Sequence, residues 1–186
     1  MRDYIKKYPW ARLRALWSME IDEERDAMDD MPEGWKIAFG DLMFEELDEA
    51  IFRENLQDDF VVEQVKEKFG GLRFYVNVAN ESIWDIIDKY EAISEHVCIE
   101  CGKPDVPMLN TAWISPMCPE CFKKAYPKSS KTYEELSSEI AEMPSEITFH
   151  GFRNGERYER TISFGDTPQK IRELHQKRIL NKKELD

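Results

Sequence analysis

The stretch CIECGKPDVPMLNTAWISPMCPEC, residues 98–121, holds every cysteine of the 186-residue chain, as Cys98-x-x-Cys101 and Cys118-x-x-Cys121 with sixteen residues between the pairs. A Cys-x-x-Cys bend lets two sulfurs converge on one ion, and two such bends at this separation are the pattern of a four-thiolate zinc site. Four protein ligands close a tetrahedral Zn2+ to substrate, so one structural ion is expected. Gly102 after the first pair suits a knuckle-like turn, and Pro119 after Cys118 suits the first position of a short helix from Pro119 to Tyr126. With β-prone chain between them, the finger reads as treble-clef-like, with a zinc ribbon as the alternative.

Other uses of four cysteines fit less well. Nothing marks the chain for an oxidising compartment, which disfavours disulfides, and a thioredoxin-like redox pair accounts for one Cys-x-x-Cys but not two. Iron–sulfur ligation is the remaining metal alternative. A zinc deaminase needs a nearby His-x-Glu and an open coordination position, whereas His96 is followed by Val97 and Cys98. His96 is itself an alternative ligand, although a histidine at a helix C-terminus has an ordinary reason to be there. Four thiolates around one divalent cation need balancing positive charge, for which Lys103, Lys123 and Lys124 are the nearest in sequence.

Working outward, Glu81 to His96 places Ile83, Ile86, Ile87, Tyr90 and Ile93 at helical spacing. Before it, two β-rich runs flank Gly70-Gly71, a strong hairpin signal because a type I′ turn needs positive φ twice. Around that turn Val61, Val65, Glu67, Phe69, Leu72, Phe74, Val76 and Val78 fall on a core face. Lys66, Lys68, Arg73 and Tyr75 fall on the other face, with Gln64 and Asn77. Residues from about Pro32 to Asn55 read as an amphipathic helix burying Trp35, Phe39, Met43, Leu47, Ala50 and Ile51, with Gly34 and Gly40 weakening its first turns. Beyond the cysteines, Thr132 and Glu135 have capping-box spacing for a short helix ended by Pro144. A second hairpin is expected around Asn154-Gly155, and a final helix from Thr167 and Pro168 with Ile171, Leu174 and Ile179 as a thin apolar stripe. Trp10, Trp17, Trp35, Trp84 and Trp113 are expected as core anchors.

The fold class expected is α+β: N-terminal helices, a β-hairpin, the finger, then a C-terminal hairpin and helix. Its organisation reads as an acidic region 1–96, the finger 97–127, a linker with a short helix 128–145, and a hairpin with a basic helix 146–186. The formal charge of −12 excludes a uniformly basic surface for nucleic acid or anionic membrane. Resolved along the chain it is polarised: residues 20–59 carry sixteen acidic and three basic side chains, a local charge of −13, and the stretch from Pro168 onward is +3. No apolar run is long enough to cross a membrane, and the first residues are broken by Lys, Arg and Pro where a signal-peptide core would lie. A cytoplasmic protein is therefore expected.

Several strings resemble, as a set, a group of uncharacterised tailed-phage and prophage proteins. They are Pro9-Trp10 with Arg12 and Arg14, DMPEGWKIAFG (30–40), VKEKFGGLRFY (65–75), CIECG (98–102) and AWISPMC (112–118). The likeness covers roughly residues 9–125, and the chain from about Lys128 reads as an addition. It implies zinc at the four cysteines and a phage or prophage setting, hence a bacterial cytoplasm, and carries no activity.

No nucleophile elbow, phosphate-cradling loop or carboxylate paired with histidine stands out, so an enzyme is not expected. The leading expectation is a small zinc-stabilised interaction protein that binds a host or phage protein. In its sharper form, the carboxylates of Asp41, Glu45, Asp48 and Glu49 mimic nucleic acid and block a host defence or regulatory protein. The alternative is nucleic-acid binding through Lys66, Lys68, Arg73 and Tyr75 or through the C-terminal helix. Against that, a charged strand face is ordinarily just a solvated one.

Overall fold

The computed structural model describes residues 3–15, 20–153 and 156–183. The architecture is α+β, with three separate small sheets. The largest sheet has strand order β2-β1-β3-β4, built from β1 (Arg12–Arg14), β2 (Ile21–Asp26), β3 (Val62–Lys68) and β4 (Gly71–Val76). Strand β1 pairs antiparallel with β2 and parallel with β3, through Leu13 and Val62, while β3 and β4 form a hairpin. No helix among the described residues is long and apolar enough to cross a membrane.

The hairpin is present, but its turn is Phe69-Gly70 rather than Gly70-Gly71. Lys68 pairs with Gly71 and Lys66 with Arg73, and the positive φ values fall on Phe69 (54°) and Gly70 (82°). Shifting a hairpin turn by one residue moves cross-strand partners by two, so the side chains of 64–68 and 71–75 keep their faces, but a bulge between Val62 and Gln64 buries Val62 in place of the expected Val61. Val65, Leu72 and Phe74 are accordingly buried. Phe69, expected in the core, is at the tip and exposed.

Residues 33–53 form the expected helical run, in three parts: α3 (Glu33–Trp35), a π-helical segment (Lys36–Gly40) and α4 (Asp41–Arg53). The wider π turns absorb one extra residue in the helix. Trp35, Phe39, Met43, Phe44, Leu47 and Ile51 are all buried. They pack with Val65, Leu72 and Phe74 of the hairpin and with Ile83, Ile87, Tyr90 and Ile93 of α5 (Glu81–Ser94) in one core. The apolar spacing of both helices at three and four residues makes this layer of helices on a sheet possible. Helix α5 also covers the outer edge of β4: Ser94 Oγ accepts the Leu72 N–H at 2.8 Å and Glu91 Oε1 accepts that of Phe74 at 2.9 Å. Those amides would otherwise be unpaired edge donors.

The N-terminal residues pack on the acidic helix. Helix α1 (Asp3–Lys7) and a 3-10 turn (Pro9–Ala11) deliver Tyr8 and Trp10 onto Phe44, with ring centroids 5.6 and 5.2 Å away. A short helix α2 (Ala27–Asp30) follows β2, held by a capping box in which Asp26 and Asp29 bind each other's backbone amides.

Of the five tryptophans, Trp10 and Trp35 are core anchors, Trp17 lies outside the described residues, and Trp84 and Trp113 are exposed, which corrects the expectation for those two. Trp113 belongs to a loop tip and Trp84 to the outer side of α5, and neither place borders the core.

The C-terminal part comprises β7 (Glu146–Arg153), β8 (Glu156–Ser163) and α8 (Thr167–Lys183). The expected Asn154-Gly155 turn lies outside the described residues, although Arg153 pairs with Glu156 across it. Ile162, Phe164 and Ile171 join the main core. Arg160 bridges to Asp85 and Asp88 of α5, fixing the hairpin against that helix. Of the expected stripe on α8, only Ile171 is buried; Leu174 and Ile179 are largely exposed.

Candidate metal centre

The chain leaves α5 through Val97 and enters a knuckle over Cys98–Lys103. There Cys98 N–H donates to Lys103 O at 2.8 Å and Gly102 N–H to Cys98 O at 2.9 Å. Gly102 has φ of 71°, and a Cβ there would collide with the Gly34 carbonyl, so glycine is required twice over. A two-stranded hairpin follows, β5 (Met108–Asn110) and β6 (Ile114–Pro116), and then α6 (Pro119–Ala125). Cys118 is the N-cap of α6 and Cys121 lies in its first turn. Knuckle, hairpin and helix in this order, with the second ligand pair at the helix start, form the treble-clef arrangement rather than a zinc ribbon.

The four sulfurs lie within 4.8 Å of one another, and Cys101 Sγ is 3.7 Å from Cys118 Sγ. Ligands about 2.3 Å from a tetrahedral ion would stand about 3.8 Å apart, so the cluster has the dimensions of a metal site. No pair is a disulfide. Cys98 and Cys118 are buried, Cys101 and Cys121 partly so. Backbone amides point at sulfur: Cys118 N–H donates to Cys98 Sγ at 3.4 Å and Cys121 N–H to Cys118 Sγ at 3.5 Å, bonds that favour thiolate. Burial, together with the neighbouring cysteines, pushes the Cys121 thiol up. A cation supplies what the cluster needs to give up its protons. His96 is not a member; its Nδ1 lies 3.3 Å from the Ala141 carbonyl.

The site has its own small core of Cys98, Val106, Leu109, Met117, Cys118, Phe122 and Leu136. Residues 128–145 supply part of it. The short helix α7 (Tyr133–Leu136) forms with the Thr132–Glu135 capping box expected from the sequence. It inserts Leu136, and Tyr133 Oη donates to Met117 O at 2.8 Å. Burial of Tyr133 and the nearby Cys118 sulfur push its phenol up to about 12. Ser138 then adds to the finger hairpin, donating its N–H to Met108 O at 2.8 Å.

Hydrogen bonds from the helical run tie this unit to the main core. Trp35 Nε1 donates to Val97 O at 2.9 Å, and Gly34 N–H donates to Ile99 O at 2.8 Å. A Cβ on Gly34 would sit inside contact distance of the Cys98 and Ile99 carbonyls. The glycine that weakens the helix start is what lets the knuckle dock there.

The cations around the site differ from those nearest in sequence. Lys103 pairs with Glu120 at 3.5 Å, and Lys123 and Lys124 are on the exposed side of α6. The partly buried cation at the knuckle is Arg178 of α8, whose Nη2 donates to Gly102 O at 3.4 Å. Burial lowers the Arg178 pKa, and the Cys101 sulfur opposes that shift. Nearby, Arg172 grips Asp105 with two bonds of 2.7 and 2.9 Å. Burial works against an ionised Asp105, but this fork and the Met143 N–H outweigh it and hold the carboxyl below its usual range. Arg178 is 57 residues beyond the last cysteine, and no local spacing signals it.

The expected contact residues are also placed. Lys66 and Tyr75 share the outer sheet face, with the ammonium 5.1 Å from the ring centroid; Lys66 also binds Gln64, and Arg73 reaches Glu91 at 3.5 Å. Lys68 is at the hairpin tip, 5.4 Å from the Phe69 ring centroid. On the acidic helix, Asp41 accepts from Tyr4 Oη, Glu45 from Lys7 at 3.3 Å and Asp48 from Trp10 Nε1 at 2.8 Å, while Glu49 is exposed. Comparison with protein-family models, curated proteins and solved structures gives no match to this chain.

Proposed function

We propose that Cys98, Cys101, Cys118 and Cys121 hold one structural Zn2+ and that the protein is a non-catalytic binding protein built around that ion. The supporting observation is the closed set of four sulfurs at the spacing of a tetrahedral thiolate site. All four positions are taken by protein, which leaves none for substrate. Thiolates select zinc or an iron–sulfur cluster, and a single-ion set of tetrahedral dimensions in a treble-clef frame suits zinc.

Between the two partner classes raised by the sequence, the geometry supports nucleic acid better than acidic mimicry. Asp41, Glu45 and Glu49 are exposed, but Asp41, Glu45 and Asp48 are each engaged by the N-terminal segment, which reduces what they offer a basic partner. The arginines of the C-terminal helix point inward in the same way, Arg172 to Asp105 and Arg178 to Gly102. The hairpin with Lys66, Lys68 and Tyr75 keeps an outward cationic and aromatic surface. The phage or prophage setting and the bacterial cytoplasm rest on the sequence resemblance alone.

Elemental analysis of reductively purified, folded protein tests the metal: one zinc per chain is expected, and a folded sample without zinc or with iron instead rules this reading out. Cobalt substitution should give the charge-transfer and d–d bands of tetrahedral four-sulfur coordination, and Cys118→Ser should abolish them.

A further inference from the structure

Two loop tips meet at one end of the molecule. The β3–β4 turn, Phe69-Gly70, lies against the β5–β6 hairpin, so close that a Cβ on Gly70 would clash with the Met108 side chain. Glu67 locks them together: one carboxylate oxygen accepts the Gly70 N–H at 2.5 Å and the other accepts Trp113 Nε1–H at 2.9 Å. What these tips expose is aromatic. Phe69 is 69% exposed, Trp113 61% and Ile114 40%, whereas Val62, Val65, Leu72, Phe74 and Leu109 of the adjoining strands are buried.

Folding does not explain these two rings. Phe69 adopts a left-handed φ of 54°, where an L-residue pays a penalty of about 1 kcal/mol or more and where asparagine or glycine is the ordinary occupant. It recovers little by burial. Trp113 has its single polar atom satisfied by Glu67, so the indole is held in place and only its ring surface is left to offer. Strain and exposed apolar area retained together at one locus mark a site of use.

The surroundings define the ligand. Lys68 is exposed beside the Phe69 ring, and Lys66 with Tyr75 repeats the combination of cation and ring on the outer sheet face. Glu67, between the tips, is occupied by two donors, and Glu95 lies beside Gly71 at the end of the turn. Flat rings with sequence-tolerant π faces beside flexible cations bind single-stranded nucleic acid, bases stacking on the rings and phosphates lying along the lysines. A duplex keeps its bases stacked internally and offers no such faces. We propose that Phe69 and Trp113, with Lys68 at the same tip, form a stacking platform for single-stranded nucleic acid, and that Lys66 and Tyr75, on the sheet face opposite Glu67, lie outside it. This deepens the proposed function and rests on the zinc-stabilised finger, because the finger is what brings Trp113 to Phe69.

The test is fluorescence anisotropy of labelled oligothymidylate and oligouridylate against the full, zinc-loaded chain at low salt. Binding that weakens as salt rises is expected, with a duplex of equal length binding far less. Phe69→Gly should weaken it about tenfold, and Trp113→Ala by a similar factor. Phe69→Gly is the decisive variant because glycine relieves the turn, so its loss of binding cannot come from unfolding. Undiminished binding by both variants, equal binding of duplex, or no binding overturns the platform. So does self-association of the chain that Phe69→Gly abolishes in the absence of oligonucleotide binding, which would make the tips a protein interface. Zinc content and circular dichroism of the same samples separate the two readings. One zinc per chain without oligonucleotide binding overturns only the platform; folded, metal-free protein that still binds overturns only the metal centre.

Discussion

The molecule contains two hydrophobic clusters that are stabilised differently. The main one spans α4, α5, the β3–β4 hairpin and the N-terminal aromatics, with Phe44 surrounded by Tyr4, Tyr8, Trp10 and Phe74. The finger cluster has seven buried residues, two of which, Cys98 and Cys118, belong to the four-sulfur set itself. The first gathers buried residues from helices, sheet and the C-terminal hairpin, and apolar burial is its main stabilising term. The second is far smaller, and units of that size ordinarily need a metal or disulfide to fold. One chain thus joins a core held by apolar burial to a small cluster that the proposed ion would hold, with Gly34–Ile99 and Trp35–Val97 among the contacts between them.

Removing the ion is the strongest way to break this pairing. Cys118→Ser, or a chelator on the wild type, should release the metal and unfold residues 97–138 while the α4–α5 core persists. Hydrogen exchange should show fast exchange confined to the finger, and simultaneous loss of both clusters would show them to be one cooperative unit. Arg178→Gln comes next. Removing charged support behind a metal site costs about 10- to 100-fold in metal affinity, so competition with a chromophoric chelator should show a loss in that range, with Arg178→Lys restoring part of it.

Gly34→Ala attacks the junction. The new methyl must displace the knuckle backbone, and overpacking of this kind costs about 1–3 kcal/mol, readable as a lower urea midpoint. If the finger alone loosens, zinc affinity falls while α5 keeps its exchange protection. Acid should then separate the clusters by pH. Protons compete for the thiolates, and the raised Cys121 thiol takes one up readily, so metal binding weakens as pH falls. Asp105 has the opposite shift: its carboxyl is depressed below 3.8, so its contribution is present above that value and is lost only as pH falls through the lower, folded one. Zinc should therefore leave before α8 undocks, followed by zinc release and far-ultraviolet dichroism in one titration. The smallest effect is that of Phe69→Gly, which should raise stability by up to about 1 kcal/mol by removing a side chain from a left-handed turn position.

Legibility in the sequence followed distance along the chain. The four-cysteine cluster was visible because each pair is set by a Cys-x-x-Cys bend, and the helices of residues 33–53 and 81–94 because their apolar residues repeat at three and four. The face of Lys66, Lys68, Arg73 and Tyr75 survived an error in the turn because alternation along a strand depends on parity alone. Phe69 was misplaced for a related reason. A Gly-Gly pair can host positive φ at either residue, and contact of Gly70 with Met108 of the finger goes with the earlier turn.

What the sequence by itself determined is local: a four-cysteine centre, two hairpins, the main helices and the side of each strand that is charged. Only the tertiary structure decided that Arg178 lies at the knuckle, that Tyr4, Lys7 and Trp10 occupy the acidic helix, and that Phe69 and Trp113 end up at one tip. The physical reason is that spacing encodes contacts within a turn or a strand, because the backbone repeat is fixed. A contact across tens of residues is chosen by which surfaces are left to bury once those elements exist, and no short pattern records that choice.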